Sequence, residues 1–232
     1  MILIFQDGNI IADTPEIKNE AVILIHGFGR TGRDMKKLET FLRESGYHTE
    51  CPTLPTTLLT VKECTAIFEH DFPAIAEKYD TLHFVGHSMG GLIIRQFLSE
   101  NSVPKLGRCV LIATPNQGTA IAGFAAKYFN FSLKIFKSIE DFQPGGMIFP
   151  SPAHFPEPEI GVIAGTGTTY MFLGKFLDGA DDGLVPVDAV SFPGMKDFVV
   201  TPYGHNEIHK TEEVAVLVRT FLQNGTFDAD NR

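Results

Sequence analysis

The sequence has no tryptophan, only three cysteines, and no apolar run long enough to cross a membrane. Cys51, Cys64 and Cys109 are odd in number, widely spaced and without a Cys-x-x-Cys pair, which excludes an evident disulfide framework or structural zinc site. The apolar run at residues 2–5 is too short for the core of a signal peptide, and no basic residues precede it. These absences predict a cytoplasmic protein in a reducing compartment, without stable membrane insertion.

Basic residues are also scarce. The chain has 19 lysines and arginines against 28 acidic residues, which gives a formal net charge of −9, and the basic residues form no cluster. This charge balance speaks against nucleic acid or an anionic membrane surface as a lasting partner. We therefore expect a small apolar or acyl substrate, and nothing in the composition indicates the oligomeric state.

Short apolar runs that alternate with helix-spaced segments are abundant. With 232 residues, 44% of them hydrophobic, the chain is long enough for one domain over residues 1–232. A continuous apolar run, typical of a strand buried on both faces, occurs at residues 21–25, and mostly apolar segments that also predict strands occur at residues 82–85, 108–113, 159–164 and 197–201. The alternation predicts an α/β fold with a doubly wound, mostly parallel sheet. Within the helical segment 61–79, Pro73 predicts an interruption.

The motif Gly86-His87-Ser88-Met89-Gly90 lies between one such strand and a helical segment. A Gly-x-Ser-x-Gly sequence at a sharp turn from strand to helix is the context of a nucleophile elbow. The flanking glycines let strand and helix approach without a Cβ clash, so the serine hydroxyl stands clear of the sheet edge. Ser88 is therefore the candidate nucleophile.

A nucleophilic serine needs a base and a carboxylate that orients the base. At an elbow of this kind the chain order is serine, acid, histidine, and Asp182 and His205 follow the last two strands in that order. Asp178, Asp181 and Asp188 compete for the role of acid. His209 competes for the role of base, but its place near the start of the last helix predicts a surface-exposed or capping role.

The oxyanion formed during acyl transfer needs two backbone N–H donors. The candidates are Met89, directly after the nucleophile, and Phe28, in the loop after the strand at residues 21–25. Gly27 and Gly29 permit the unusual backbone that aims the Phe28 amide. His87 is predicted to pack beside the turn, and His26 to hydrogen-bond the loop that carries Phe28.

Five short motifs together resemble the small lipases and carboxylesterases of the α/β-hydrolase superfamily. They are His26–Gly29, Gly86–Gly91, Thr114–Thr119, Asp182–Pro186 and Gly204-His205. The resemblance spans roughly residues 21–223 and implies a Ser88–His205–Asp182 triad that cleaves carboxylic esters without a metal or organic cofactor. It also implies a small helical cap after Gly118, for which we assign residues 118–150. The chain differs from secreted lipases in lacking a leader and a disulfide pair.

Other functions stay open. A thioesterase or an acyltransferase would use the same triad, because only the leaving group and the acceptor differ. Metal-dependent hydrolysis is suggested by His205 and His209, four residues apart, but the glutamate between them does not occupy the His-Glu-x-x-His position. A ligand-binding protein that kept the fold without its activity is a further class.

The segment at residues 118–139 has apolar residues at helical spacing on more than one face. It is either a crossover helix packed in the core or a cap whose Phe124 and Tyr128 line an acyl pocket.

The two interpretations of this segment predict different results for the Phe124→Ser/Tyr128→Ser double variant. Each buried side chain contributes up to about 1.5–3 kcal/mol of apolar contact. A cap predicts that kcat/KM falls far more for p-nitrophenyl octanoate than for p-nitrophenyl acetate. Equal losses on both esters, with a large fall in melting temperature, would identify the segment as core instead.

Overall fold

A computed structural model of the chain describes residues 3–6, 9–12, 19–119, 141–142, 158–167 and 179–228. The first two ranges form a short antiparallel pair of strands. The strands are β1 (Leu3–Gln6), β2 (Asn9–Ala12), β3 (Glu20–Ile25), β4 (His48–Glu50), β5 (Thr81–His87), β6 (Leu106–Ile112), β7 (Glu159–Gly165) and β8 (Asp197–Thr201).

Six of these strands form one parallel sheet in the order β4-β3-β5-β6-β7-β8. The register aligns the carboxyl ends of the central strands: Ile25 pairs with Gly86, His87 with Ile112, and Gly165 with Thr201. The loops that follow these strands therefore meet at one edge of the sheet, where open α/β sheets bind their ligands.

In the described ranges, helices lie between the strands in sequence, and one more helix follows β8. They are α1 (Lys36–Glu44), α2 (Val61–Ala76), α3 (Met89–Glu100), α4 (Val187–Val190) and α5 (Glu212–Asn224), with 3-10 turns at Gly32–Met35 and Ile208–Lys210. A capping box of Thr60 and Glu63 starts α2. The interruption predicted at Pro73 is wrong, because α2 continues through this residue to Ala76.

Successive residues of the central strands enter two different hydrophobic clusters. Ile23 and Phe84 belong to one cluster, with side chains of α2 and α3, whereas Val22 and Val85 belong to the other, with side chains of α1 and α5. Side chains alternate between the faces of a strand, so helices cover both faces of the sheet. This arrangement confirms the doubly wound parallel α/β fold that the sequence predicts.

In the described ranges, none of the helices combines the length and the apolar character needed to cross a membrane.

An aromatic cluster packs α2 and α3 onto the sheet. The rings of Phe68 and Phe97 are 5.0 Å apart, and both contact Phe84 of β5. Phe68 is 1% exposed, whereas its neighbour Ile67 is 38% exposed. The two adjacent residues of α2 thus have opposite environments.

We expect Phe68→Ala to lower the free energy of unfolding by about 3–5 kcal/mol, because it leaves a cavity among the rings. The matched variant Ile67→Ala should cost roughly 1 kcal/mol or less, since its side chain is partly solvated. Urea denaturation of both variants measures the difference. Similar losses for the two residues would contradict the assignment of this cluster as core.

Candidate active site

Ser88 occupies a strained turn between β5 and α3. Its φ is 53° and its ψ is −122°, a conformation that costs a residue with a Cβ on the order of 1–3 kcal/mol. The turn is held by hydrogen bonds from Ser88 N–H to the carbonyl of Ile112 (2.9 Å) and from Gly91 N–H to the carbonyl of Ser88 (3.0 Å). The surrounding structure therefore supports the strain.

Glycine is required at the flanks of this turn because the backbone approaches itself closely. A Cβ on Gly86 would lie 2.5 Å from the nitrogen of Gly91, and a Cβ on Gly90 would overlap the carbonyl oxygen of Ile25. No flexible side chain is available to move aside at either position. The Gly-x-Ser-x-Gly spacing is thus the sequence signature of a steric requirement.

His205 and Asp182 meet Ser88 at this edge of the sheet. His205 Nε2 is 3.0 Å from Ser88 Oγ, and His205 Nδ1 is 2.7 Å from Asp182 Oδ2. Asp182 is fully buried and His205 is nearly so. Because Nδ1 donates to the carboxylate, Nε2 is left to accept the serine proton. The structure brings together the three side chains that the sequence proposes as a triad.

The second oxygen of Asp182 is also occupied. Oδ1 accepts hydrogen bonds from the backbone N–H groups of Leu184 (3.0 Å) and Val185 (2.8 Å). The backbone of Asp182 contributes too, since its carbonyl accepts from His205 N–H at 2.9 Å. The carboxylate is therefore held in orientation by its own loop.

Two side chains that follow β6 hold the segment after Asp182 in place. The Thr119 hydroxyl donates to the carbonyl of Leu184 at 2.7 Å, and the Asn116 amide donates to the carbonyl of Val190. Arg95 of α3 in turn donates to Asn116 at 2.8 Å. The motif at residues 114–119 thus connects α3 to the loop that carries Asp182.

The competing acids have other environments. Asp181 accepts from Gly183 N–H at 2.7 Å, Asp188 is exposed, and Asp178 lies outside the described residues.

The surface-exposed or capping role predicted for His209 is wrong. His209 is 1% exposed and donates from Nε2 to Asp34 at 2.9 Å, and the ammonium of Lys210 is 2.7 Å from the other oxygen of Asp34. The sequence around His209 could not reveal its burial or its bond to Asp34, because Asp34 lies 175 residues away in sequence.

His87 packs beside the turn, as the sequence predicts, and connects it to the loop that carries His205. Its Nε2 is 2.9 Å from the carbonyl oxygen of His205, so this nitrogen carries the proton and donates. Its ring stacks on that of His209 with centroids 3.8 Å apart. Burial is the largest cause that lowers the pKa of both rings; the neighbouring His209 lowers the pKa of His87 further, and Asp34 offsets only part of the lowering at His209. The stack is therefore a pair of neutral imidazoles.

Asp34, His87 and His209 offer ligand atoms within 4.8 Å of one another, which raises the question of a metal site. The carboxylate of Asp34 is already engaged by His209 and by the Lys210 ammonium, and it holds a depressed pKa through these two partners against the effect of burial. A divalent ion would have to displace this ammonium and take the proton-bearing nitrogen of His209. The donor set fits a hydrogen-bonded cluster better than a metal centre.

The loop that carries Phe28 is fixed through the carbonyl of Gly27. This oxygen accepts from His26 Nδ1 and Thr56 Oγ1, each at 3.0 Å, and from Arg30 N–H at 3.3 Å. His26 Nε2 accepts in turn from Leu54 N–H at 3.0 Å. The structural role predicted for His26 thus agrees with its contacts, whereas Thr56 carries no sequence signal that could have found it.

Met89 is the first residue of α3, so its N–H has no partner within the helix. Gly27 lies against Ser88, since a Cβ on Gly27 would be 3.1 Å from that of Ser88. Of the two predicted oxyanion donors, Met89 thus follows Ser88 directly in sequence, and Phe28 belongs to a loop that packs against Ser88 through Gly27. Phe28 also contacts Phe142 edge to face, with ring centroids 6.1 Å apart. The predicted pocket residues Phe124 and Tyr128, and most of the predicted cap, lie outside the described residues.

The sequence matches the Alpha/beta hydrolase family over residues 22–207. This range is more than half of the chain and contains Ser88, Asp182 and His205. The protein therefore belongs to the α/β-hydrolase family. No curated protein matches the sequence.

Solved structures of the same fold include several lipases and esterases. The mature form of lipase BlEst2 from Bacillus licheniformis is 15% identical, with a TM-score of 0.74 over 93% of this chain and 96% of that chain. Phospholipase PlaB from Legionella pneumophila is 16% identical, with a TM-score of 0.66 over 91% of this chain and 62% of that chain. The metagenomic carboxyl esterase MGS0156 is 16% identical, with a TM-score of 0.64 over 88% and 71%. At these identities the likeness shows the fold.

Four buried histidines predict how stability depends on pH. Burial is the main cause that lowers the pKa of His26, His83, His87 and His209 in the folded protein. Below the unfolded value near 6.5, the unfolded chain binds protons that the folded chain does not. The free energy of unfolding should therefore fall between pH 7.5 and pH 5.5, with a slope of up to about 1.4 kcal/mol per pH unit for each histidine.

Urea denaturation at several pH values measures this dependence, and His87→Gln should flatten it. Asp34 does not interfere, because its pKa is lowered and its contribution is lost only at more acidic pH. A free energy of unfolding that does not change between pH 7.5 and pH 5.5 would refute the neutral state of these histidines.

Proposed function

We propose that this protein is a serine hydrolase that cleaves carboxylic esters through an acyl-enzyme on Ser88. The observation that carries the proposal is the continuous chain of hydrogen bonds from Asp182 through His205 to Ser88, at 2.7 and 3.0 Å. The strained turn at Ser88 and the family membership support the same activity.

The proposed reaction has two acyl-transfer steps. Ser88 Oγ attacks the ester carbonyl carbon while His205 Nε2 takes the hydroxyl proton, and the carbonyl electron pair moves onto oxygen as an oxyanion. The backbone N–H groups of Phe28 and Met89 stabilise this oxyanion. Its collapse breaks the ester bond, and His205 gives the proton to the leaving alcohol. Water then attacks the acyl-enzyme by the same route and releases the acid and free Ser88.

An apolar acyl group fits the surroundings of the site. The edge-to-face pair of Phe28 and Phe142 lies on the oxyanion side, and Leu184 follows the catalytic acid; all three are partly buried against the main core. The predicted contribution of Phe124 and Tyr128 to this pocket remains part of the proposal. A series of p-nitrophenyl esters of increasing chain length, measured beside one acyl thioester, distinguishes ester from thioester hydrolysis.

Ser88→Ala should abolish covalent labelling by a fluorophosphonate probe and lower ester turnover by on the order of 10⁴ or more. The fold should remain intact, since alanine is smaller and the turn is held by backbone hydrogen bonds. Labelling is followed by fluorescence in a gel and folding by circular dichroism. Labelling of the variant at the wild-type rate would exclude Ser88 as the nucleophile.

Asp182→Asn and Asp181→Asn form a matched pair for the acid. We expect the first to lower kcat by about 10³–10⁴, because an amide no longer holds the base in its reactive tautomer. The second should have little effect on kcat. Within the described ranges, the hydrogen bond found for the Asp181 side chain goes to Gly183 N–H of its own loop, not to His205. Comparable kcat values for the two variants would show that a residue other than Asp182 orients His205.

A further inference from the structure

The direction of the Phe28 N–H depends on a side chain that the reaction itself does not use. A trans peptide is planar, so the N–H of Phe28 points opposite to the carbonyl of Gly27. Whatever holds the Gly27 oxygen therefore also aims the Phe28 N–H. In the proposed function this N–H is one of the two oxyanion donors, so the inference rests on that proposal.

The partners of the Gly27 oxygen differ in what they fix. His26 and Arg30 belong to the same loop as Gly27, and their contacts shape the loop internally. Thr56 belongs to the separate segment between β4 and α2, and its hydroxyl donates to the Gly27 oxygen at 3.0 Å. The Thr56 side chain is thus the direct link between the Gly27 oxygen and this neighbouring segment.

The Thr56 hydroxyl is itself well placed for this role. Thr56 is 1% exposed, and its N–H donates to the carbonyl of Leu54 at 2.8 Å. Leu54 N–H in turn donates to His26 Nε2 at 3.0 Å. Burial lowers the pKa of His26 and favours the neutral ring; because Nε2 accepts from Leu54, the proton lies on Nδ1 and is donated to the Gly27 oxygen. Two hydrogen bonds from one short segment therefore hold the oxyanion loop.

We propose that Thr56 is a positioning residue of the oxyanion hole, which acts by holding the Gly27 carbonyl so that the Phe28 N–H faces the oxyanion. Such a residue stabilises the transition state more than the bound substrate, because full negative charge develops on the oxygen only after the attack of Ser88. Its loss should therefore lower kcat and leave KM nearly unchanged.

The isosteric pair Thr56→Val and Thr56→Ser tests this role. Valine keeps the shape and removes the donor, and we expect kcat for p-nitrophenyl esters to fall by about 10- to 100-fold, less than the loss of an oxyanion donor itself. Serine keeps the hydroxyl donor, so Thr56→Ser should retain most of the wild-type kcat. The inhibition constant of a trifluoromethyl ketone, which forms a tetrahedral adduct with the serine, should rise with Thr56→Val by a factor similar to the fall in kcat/KM.

Thr65→Val is the matched control. Thr65 is also 1% exposed, and its hydroxyl donates to a backbone carbonyl, that of Val61 in α2, at 2.8 Å. This variant should lose stability as Thr56→Val does but keep the wild-type kcat. Melting temperatures of all variants establish that each is folded under the assay conditions.

Several outcomes would overturn the proposal. The first is an equal kcat for Thr56→Val and wild type, and the second is an equal loss of kcat for Thr56→Val and Thr65→Val. The others are a kcat of Thr56→Ser as low as that of Thr56→Val, or an effect of Thr56→Val on KM alone. Each of these leaves a wild-type enzyme that is active and labelled at Ser88. If the wild type is neither labelled nor active on esters or the thioester, the proposed function fails instead, and the two failures are thereby distinguished.

Discussion

The parallel register of the sheet is the constraint on which the candidate site depends. It brings the carboxyl ends of β3, β5 and β8 to one edge, so that loops from distant parts of the sequence meet there. Ser88 follows β5 directly, the oxyanion loop follows β3, and His205 follows β8. A shift of one residue in any strand would turn its side chains to the other face and move its loop away from the others.

Hydrogen bonds to backbone groups, many of them from side chains, hold this edge together. The N–H of His205 is bound by the carbonyl of Asp182, and its carbonyl is bound by His87, so the base is fixed at both ends of its own residue. The Gly27 carbonyl is likewise held by side chains from its own and a neighbouring loop. Buried polar atoms that are satisfied in this way make the geometry of the site rigid before any substrate arrives.

The sequence predicts most of the fold, because periodicity and glycine spacing report local backbone requirements. The strands, the elbow at Ser88 and the order of acid and base all leave such local signals. The burial of His209 and the contact of Thr56 with Gly27 leave none, since each depends on a partner far away in the chain. At Pro73 a local signal misleads. Proline disfavours a helix, yet Pro73 lies in the last turn of α2, where tertiary packing outweighs its cost.

The separation of 117 positions between Ser88 and His205 determines when the site can form. A ribosome makes the nucleophile and its strained turn early, but the base and the strand before it belong to the last part of the chain. Under the proposed function, a chain not yet made as far as His205 therefore carries a serine without a proton acceptor and is inert towards esters in its surroundings. Because α5 follows His205 and packs against the same sheet, assembly of the three side chains and packing of this helix fall at the same stage of folding.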